Sequence, residues 1–147
     1  MQLRWIDSNS VSNHDVADLP ALREKTDGFL WLDIPEWSDE AEMLLKRDFG
    51  FHPMAISESR NRNHIPRVHV YPQHVFIVVH APEIGANGHV HYLELDQFVG
   101  EDFLVTIHGP LSPKVPLEAA LRETEAVAAR MDSNRLHPTS PFGLTYA

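Results

Sequence analysis

The sequence contains no cysteine. This absence excludes disulfide bonds, thiolate metal sites and cysteine nucleophiles. A chain without cysteine is also compatible with a reducing compartment, so the composition fits a cytoplasmic protein.

Long hydrophobic runs are absent as well. The longest uninterrupted apolar run covers residues 75–79, far short of the roughly 20 residues that a membrane helix requires. The first seven residues, Met-Gln-Leu-Arg-Trp-Ile-Asp, lack the apolar core of a secretory signal. We therefore expect a soluble chain that is not exported.

Basic residues are scarce relative to acidic ones. Lysine and arginine number 12 against 21 aspartates and glutamates, which gives a net charge of -9. Nucleic acid and anionic membrane surfaces are therefore poor candidate partners, whereas cations and basic surfaces are better ones. The 147 residues, of which 43% are apolar, suffice for one domain with a hydrophobic core.

Short strands and helices alternate in the first part of the chain. Residues 2–6 are predicted to form an edge strand, residues 18–25 a short helix, and residues 28–34 a buried strand. The clearest helix follows Ser38, which is placed to cap it, with basic residues in its last turn and Gly50 just past its end. Its apolar stripe consists of Ala41, Leu44, Leu45 and Phe49.

The middle of the chain has the period-two pattern of strands. After a short helix over 53–59, the predicted strands cover residues 67–71, 75–79, 89–99 and 103–108, with a turn over 84–88. The pattern predicts a four-stranded antiparallel meander in which 75–79, apolar on both faces, is a central strand.

The pattern returns to a helical period after residue 115, which predicts a helix that lies on the sheet. The last residues, 142–147, resemble the start of another helix but reach no capping residue. We therefore expect the chain to be a fragment that ends inside an element.

Ten histidines raise the question of a metal site. His89 and His91 lie two apart on a predicted strand, so their rings project from the same face, and His69 or His80 on neighbouring strands are possible third ligands. The alternative interpretation is that His-x-His decorates a half-exposed strand. Ser57, Ser59, Thr106 and Ser112 are the candidate nucleophiles, but none lies in a Gly-x-Ser-x-Gly elbow.

Several acidic residues lie near strand or helix ends, where hard cations such as Mg²⁺ bind through one or two carboxylates and retain water. Taken singly, each is interpreted as solvated surface. The set comprises Asp33, Asp39, Glu40, Glu58, Glu83, Glu94, Asp96, Glu101 and Asp102.

Five short segments occur in an informative order. They are Trp31-Leu32-Asp33, Phe49-Gly50-Phe51-His52-Pro53, Ile65-Pro66-Arg67-Val68, and the strands over 74–78 and 103–108. In this order and spacing they resemble the amino-terminal cytoplasmic domain of the CorA family of magnesium channels. The resemblance extends from about Trp31 to the end of the chain.

The resemblance implies an α/β (α+β) fold, in which a mostly antiparallel mixed sheet is sandwiched between helices. It implies one cytoplasmic domain over residues 1–147, truncated at its C-terminal end. In the family, five copies surround a stalk helix below the membrane, and Mg²⁺ bound between protomers favours the closed state. We therefore expect a homopentamer joined to its own transmembrane domain at the cytoplasmic face of the cell membrane, with a regulatory rather than an enzymatic role. The stalk helix, both membrane helices and the Gly-Met-Asn pore signature are absent from this chain.

The resemblance also points to a site residue. The sensing acid of the family lies in a Glu-Asp pair after His-Pro, and the matching positions are Ser57 and Glu58. Glu58 keeps a carboxylate and is the expected ligand of a weakly bound regulatory Mg²⁺, whereas Ser57 departs from the pattern. Zn²⁺ and Co²⁺ are alternative ions, because zinc transporters of the same superfamily share this domain and histidines suit softer metals. A stand-alone metal-dependent enzyme built on His89 and His91 is the alternative from a different class.

Overall fold

The strands of the computed structural model build one mixed sheet. The model describes residues 1–147 except 86, 87, 112 and 114. In that part of the chain the strands are β1 (Gln2–Asp7), β2 (Val11–His14), β3 (Gly28–Ile34), β4 (Arg67–Val70), β5 (Val75–Ile84), β6 (Val90–Val99) and β7 (Phe103–His108). Their order across the sheet is β2-β1-β3-β7-β6-β5-β4.

The described residues also contain helices α1 (Leu19–Arg23), α2 (Asp39–Arg47), α3 (Pro53–Arg60), α4 (Leu117–Asp132) and α5 (Pro141–Leu144). As predicted, the Ser38 hydroxyl caps α2 by accepting a hydrogen bond from the Ala41 amide at 3.1 Å. Gly50 adopts a φ of 63° after the helix, a conformation that favours glycine.

Helices cover the sheet on both sides. One core joins α1, α2 and α3 to side chains such as Leu32, Phe98 and Val105. A second core joins α4 and α5 to Trp31 and Leu104 on the opposite side. We call these two sides the α3 face and the α4 face. Together they confirm the predicted sheet sandwiched between helices.

The strand pairing confirms the predicted meander and adds a crossover. Strands β4 to β7 pair antiparallel in sequence order, whereas β3 pairs with β7 in parallel. The chain reaches β7 from β3 only after α2, α3 and the meander, so the parallel pair joins segments about 70 residues apart in sequence, as Leu30 opposite Phe103 illustrates. The sheet is therefore mixed, as expected.

Two predictions about strand position were wrong. β1 is an inner strand, because β2 pairs along its free side. β5 is the second strand from the other edge, and its burial alternates: Phe76 and Val78 are buried on the α3 face, whereas Val79 on the opposite face is 37% exposed. The apolar run over residues 75–79 thus does not mark a central strand of the sheet. The predicted turn over 84–88 includes residues 86 and 87, which lie outside the described residues.

Candidate functional site

Glu58 lies on α3 beside the edge strand β4. The helix starts where the Nδ1 atom of His52 accepts a hydrogen bond from the Met54 amide at 3.2 Å, with Pro53 in the first turn. Ala55 and Ile56 face the core, which leaves the Glu58 side chain 23% exposed at the flank of the helix.

Two basic side chains of β4 approach Glu58. The Arg67 Nη1 atom lies 3.6 Å from Glu58 Oε1 and the His69 Nε2 atom lies 3.8 Å from Oε2. Arg67 and His69 are two residues apart on a strand and therefore project from the same face. Both contacts are longer than hydrogen bonds, and Oε2 is buried without a hydrogen-bond partner. The carboxylate is thus held near positive charge but retains free acceptor capacity.

A second carboxylate lies behind α3. Asp96 on β6 is fully buried, and its Oδ2 accepts a hydrogen bond from the Ser59 hydroxyl at 2.6 Å. Burial raises the pKa of Asp96 to about 8; the Ser59 hydrogen bond opposes this shift, and the charges of Glu94 and Glu58 add to it. The Asp96 carboxyl group therefore holds a proton at neutral pH.

A third carboxylate, Glu94, is attached to the loop that follows α3. Glu94 accepts hydrogen bonds from the backbone amide of Asn63 at 2.7 Å and from its side-chain amide at 3.0 Å. The Nε2 atom of His80, on the neighbouring strand, lies 3.7 Å from Glu94 Oε2. Gly109 makes room for this side chain, since a Cβ atom there would lie 2.7 Å from the Glu94 Cβ. Glu94 thus anchors the chain just past α3 to the sheet.

The interpretation of Glu94 and Asp96 as solvated surface residues was therefore wrong. Both side chains point to the α3 face, together with Phe98, because they occupy alternate positions of β6. The sequence held a partial signal, since residues 93, 95 and 98–99 are apolar around these acids. Because β6 is also an inner strand between β7 and β5, the acids among these apolar positions are buried.

The structure does not bring His80 or His69 to the His89 and His91 pair. His80 is opposite Glu94 on the α3 face, whereas His91 has the same strand parity as Leu93 and lies on the α4 face. His69 is on β4, two strands away from β6. His89 is exposed and precedes β6. Among the described residues, no three His, Asp or Glu side chains are placed to hold a metal ion, so metal binding at His89 and His91 stays a prediction.

A polar network on the α4 face resembles a catalytic triad in composition. The His108 Nε2 atom lies 3.1 Å from Asp33 Oδ1 and 3.2 Å from the Thr124 hydroxyl. Thr106 donates a hydrogen bond to Asp33 and accepts one from the Trp31 indole at 3.0 Å. A triad needs the acid and the nucleophile on different ring nitrogens, but here both contact Nε2. The network therefore does not have the geometry of a triad. Ser112, another candidate nucleophile, lies outside the described residues.

The fold is similar to that of several solved structures. The full-length CmaX protein superimposes with a TM-score of 0.74 at 12% sequence identity, over 99% of this chain and 42% of that chain. The complete CorA magnesium transporter from Methanocaldococcus jannaschii gives a TM-score of 0.64 at 18% identity, over 92% of this chain and 38% of that chain. The soluble domain of CorA from the same organism gives 0.58 at 18% identity, over 86% and 46%.

The chain thus spans less than half the length of these structures. Among the described residues, no helix is both long and apolar enough to cross a membrane. No curated protein sequence matches the chain. The family model described as CorA-like Mg²⁺ transporter protein matches residues 26–147. Because this match includes every strand from β3 onward and helices α2 to α5, the chain belongs to the CorA-like Mg²⁺ transporter family.

Proposed function

We propose that this chain is the ion-sensing regulatory domain of a divalent cation transporter, with Mg²⁺ as the sensed and transported ion. The observation that carries the proposal is the family match over residues 26–147, together with a sheet and helices arranged as in the soluble domain of CorA. In the proposed assembly, five copies lie at the cytoplasmic face of the membrane, each joined to its own transmembrane domain. The domain regulates transport and catalyses no reaction.

We further propose that the sensed ion binds at Glu58. The fit is supported by the free carboxylate, which accepts no hydrogen bond from Arg67 at 3.6 Å or from His69 at 3.8 Å, since a hard cation such as Mg²⁺ binds carboxylate oxygen. Glu58 lies at the rim of the domain, with 23% of its side chain exposed, so a hydrated ion can approach it. The remaining ligands are water, or acidic groups of a neighbouring protomer.

The same surroundings imply weak binding in one isolated copy. Arg67 and His69 lie within 4 Å of the carboxylate, and the positive charge of Arg67 competes with a cation. Two carboxylates that face each other across a subunit interface would overcome this competition. Loss of the ion would then let the subunits shift apart.

The test is the response of this chain to Mg²⁺ when Glu58 is changed to Gln. Wild-type protein is expected to gain about 1.4 kcal/mol of stability when free Mg²⁺ is ten times the Kd, and Glu58→Gln is expected to lose this gain. Thermal unfolding at increasing MgCl₂ concentration, with the ionic strength kept constant by NaCl, measures the stability gain of both proteins.

Glu83→Gln is the matched control. Glu83 is also a partly exposed glutamate, 27% exposed and paired with an arginine, Arg122. The control variant should respond to Mg²⁺ like the wild type. Equal responses of wild type and Glu58→Gln would remove Glu58 from the proposed site. A larger gain with Zn²⁺ or Co²⁺ than with Mg²⁺ would identify a softer ion, for which His69 beside Glu58 is a suitable ligand.

A further inference from the structure

Two buried carboxylates of β6 hold the end of α3 against the sheet. Asp96 accepts the hydrogen bond of Ser59, in the last turn of the helix. Glu94 accepts two hydrogen bonds from Asn63, three residues past the helix. We call these contacts the β6 latch. Glu58 immediately precedes Ser59, so the latch also determines where the Glu58 carboxylate lies.

The charges around the latch do not balance if Asp96 is ionised. The charged groups that act electrostatically on Asp96 are Glu58 from α3, Arg67 from β4 and Glu94 from its own strand. His69 lies beside Glu58, and His80 of β5 lies beside Glu94. Arg67 is the one permanent cation among these described groups, against three carboxylates. An added proton on Asp96 reduces the repulsion.

The hydrogen bonding of Asp96 also favours the protonated form of its carboxyl group. Oδ2 has Ser59 as its donor, whereas Oδ1 is buried without a partner. A buried carboxylate with several hydrogen-bond donors is stabilised as an anion. Asp96 has one donor and no access to water, so the neutral acid is the form that this site holds.

We propose that Asp96 is a proton-binding site that controls the β6 latch. With the proton bound, Asp96 is neutral and α3 packs closely on β6. When the proton leaves, the buried negative charge repels Glu94 and Glu58, and the last turn of α3 separates from β6 until water reaches the carboxylate. The segment from Ser59 to Asn63 then becomes mobile, and Glu58 moves with it.

The β6 latch makes the domain respond to protons as well as to a divalent cation. This part of the inference rests on the proposed cation site at Glu58. A divalent cation at Glu58 cancels the negative charge that favours the proton on Asp96. Binding of the ion and release of the proton are therefore coupled, and by reciprocity a high pH strengthens ion binding.

Hydrogen exchange of the 147-residue chain tests the latch. Wild-type protein is compared with Asp96→Asn from pH 6.5 to 9.5, with rates corrected for intrinsic exchange. In the wild type, amides of α3 and of residues 61–63 are expected to lose at least tenfold in protection as the pH rises through 8, while β3 amides keep theirs. In Asp96→Asn the protection of α3 is expected to be independent of pH.

Asp102→Asn is the matched control, because Asp102 is a half-exposed acid paired with Arg23 on another part of the domain. It should reproduce the wild-type profile. Uniform protection of α3 across the pH range in the wild type, or the same loss in Asp96→Asn, would overturn the proposal. If Asp96→Asn does not fold, carboxyl carbon NMR of the wild type decides: titration of Asp96 near pH 8 supports the latch, and titration near pH 4 contradicts it.

Repeating the titration with MgCl₂ separates the two proposals. Titration of Asp96 at lower pH with Mg²⁺ than with NaCl of equal ionic strength supports both the latch and the cation site. A latch that opens near pH 8 irrespective of Mg²⁺ supports the proton site and contradicts the cation site. A Mg²⁺ response without any pH-dependent opening of the latch supports the cation site and contradicts the proton site.

Discussion

The Ser59 hydroxyl donates a hydrogen bond of 2.6 Å to the Asp96 carboxyl group, and both residues are buried between α3 and β6. Ser59 is one residue after Glu58 in the chain, and Asp96 is 37 residues further on. The contact therefore fixes the candidate ion-binding helix to an inner strand of the sheet.

Removal of the Ser59 hydroxyl should destabilise the domain. In Ser59→Ala, neither oxygen of Asp96 has a hydrogen-bond partner within the described residues, and we expect a loss of about 1–3 kcal/mol. Urea unfolding at pH 7 measures the change. Ser57→Ala, an exposed position on the same helix, should change stability by less than about 0.5 kcal/mol. Similar effects of the two substitutions would contradict a special role for the Ser59 contact.

The stability of the domain should decrease as the pH rises from 7 to 8. The pKa of Asp96 is raised from its ordinary value of 3.8 to about 8 in the folded protein, so the folded state binds more protons than the unfolded state between these values. The contribution is fully present below pH 3.8, falls by at most about 1.4 kcal/mol per pH unit, and is lost once the pH exceeds 8. Urea unfolding at pH 7, 8 and 9 measures it.

Asp96→Asn should remove most of this slope, since the amide carries no proton equilibrium in that range. The comparison is best made above pH 7. Burial and the nearby His52 lower the pKa of His74, so its neutral form contributes stability that is lost as the pH falls below about 6.5. A slope between pH 7 and 8 that survives in Asp96→Asn would show that another group titrates there.

A methyl group at position 109 should disturb the Glu94 side of the latch. The Cβ atom of Gly109→Ala would lie 2.7 Å from the Glu94 Cβ, and the Gly109 amide also donates to the Glu94 carbonyl at 2.9 Å. We expect a loss of about 1–3 kcal/mol from this overpacking, measured by urea unfolding. Gly143→Ala, where the nearest atom is the Ser140 hydroxyl oxygen at 3.2 Å, is the milder control. Unchanged stability of Gly109→Ala would mean that the Glu94 side chain shifts without cost.

Removing the Arg67 charge should strengthen ion binding. Arg67 lies 3.6 Å from Glu58, and loss of a competing charge at a partly exposed site corresponds to about 0.5–1 kcal/mol. Arg67→Gln is therefore expected to lower the Kd for Mg²⁺ about two- to fivefold, measured by calorimetry. Arg122→Gln removes an arginine that pairs with Glu83 at 3.0 Å and should leave the Kd unchanged. Weaker binding in Arg67→Gln would place the ion elsewhere.

Local patterns in the sequence predicted most elements correctly. The α2 helix, its Ser38 cap and Gly50 at its end depend on neighbouring residues only. The antiparallel meander over β4 to β7 also follows from nearby segments, because each strand pairs with the next one along the chain.

Pairing between distant segments was not predictable in the same way. The position of β1 depends on the short strand β2 beside it and on β3, and the parallel pairing of β3 with β7 joins residues about 70 apart in sequence. Such pairs carry no local sequence signal, because the residues that select each other are separated by the whole intervening chain.

The candidate site was likewise predictable only where it depends on local sequence. The sequence by itself determined the family, the α3 helix and Glu58 as an acid at the position of interest, since these depend on residue type and local order. Only the tertiary structure decided that Arg67 and His69 approach Glu58 and that Asp96 is buried against Ser59, the next residue of the helix. The physical reason is that the charge state of a carboxyl group is set by the water, donors and charges around it, and these are brought there by strands remote in sequence.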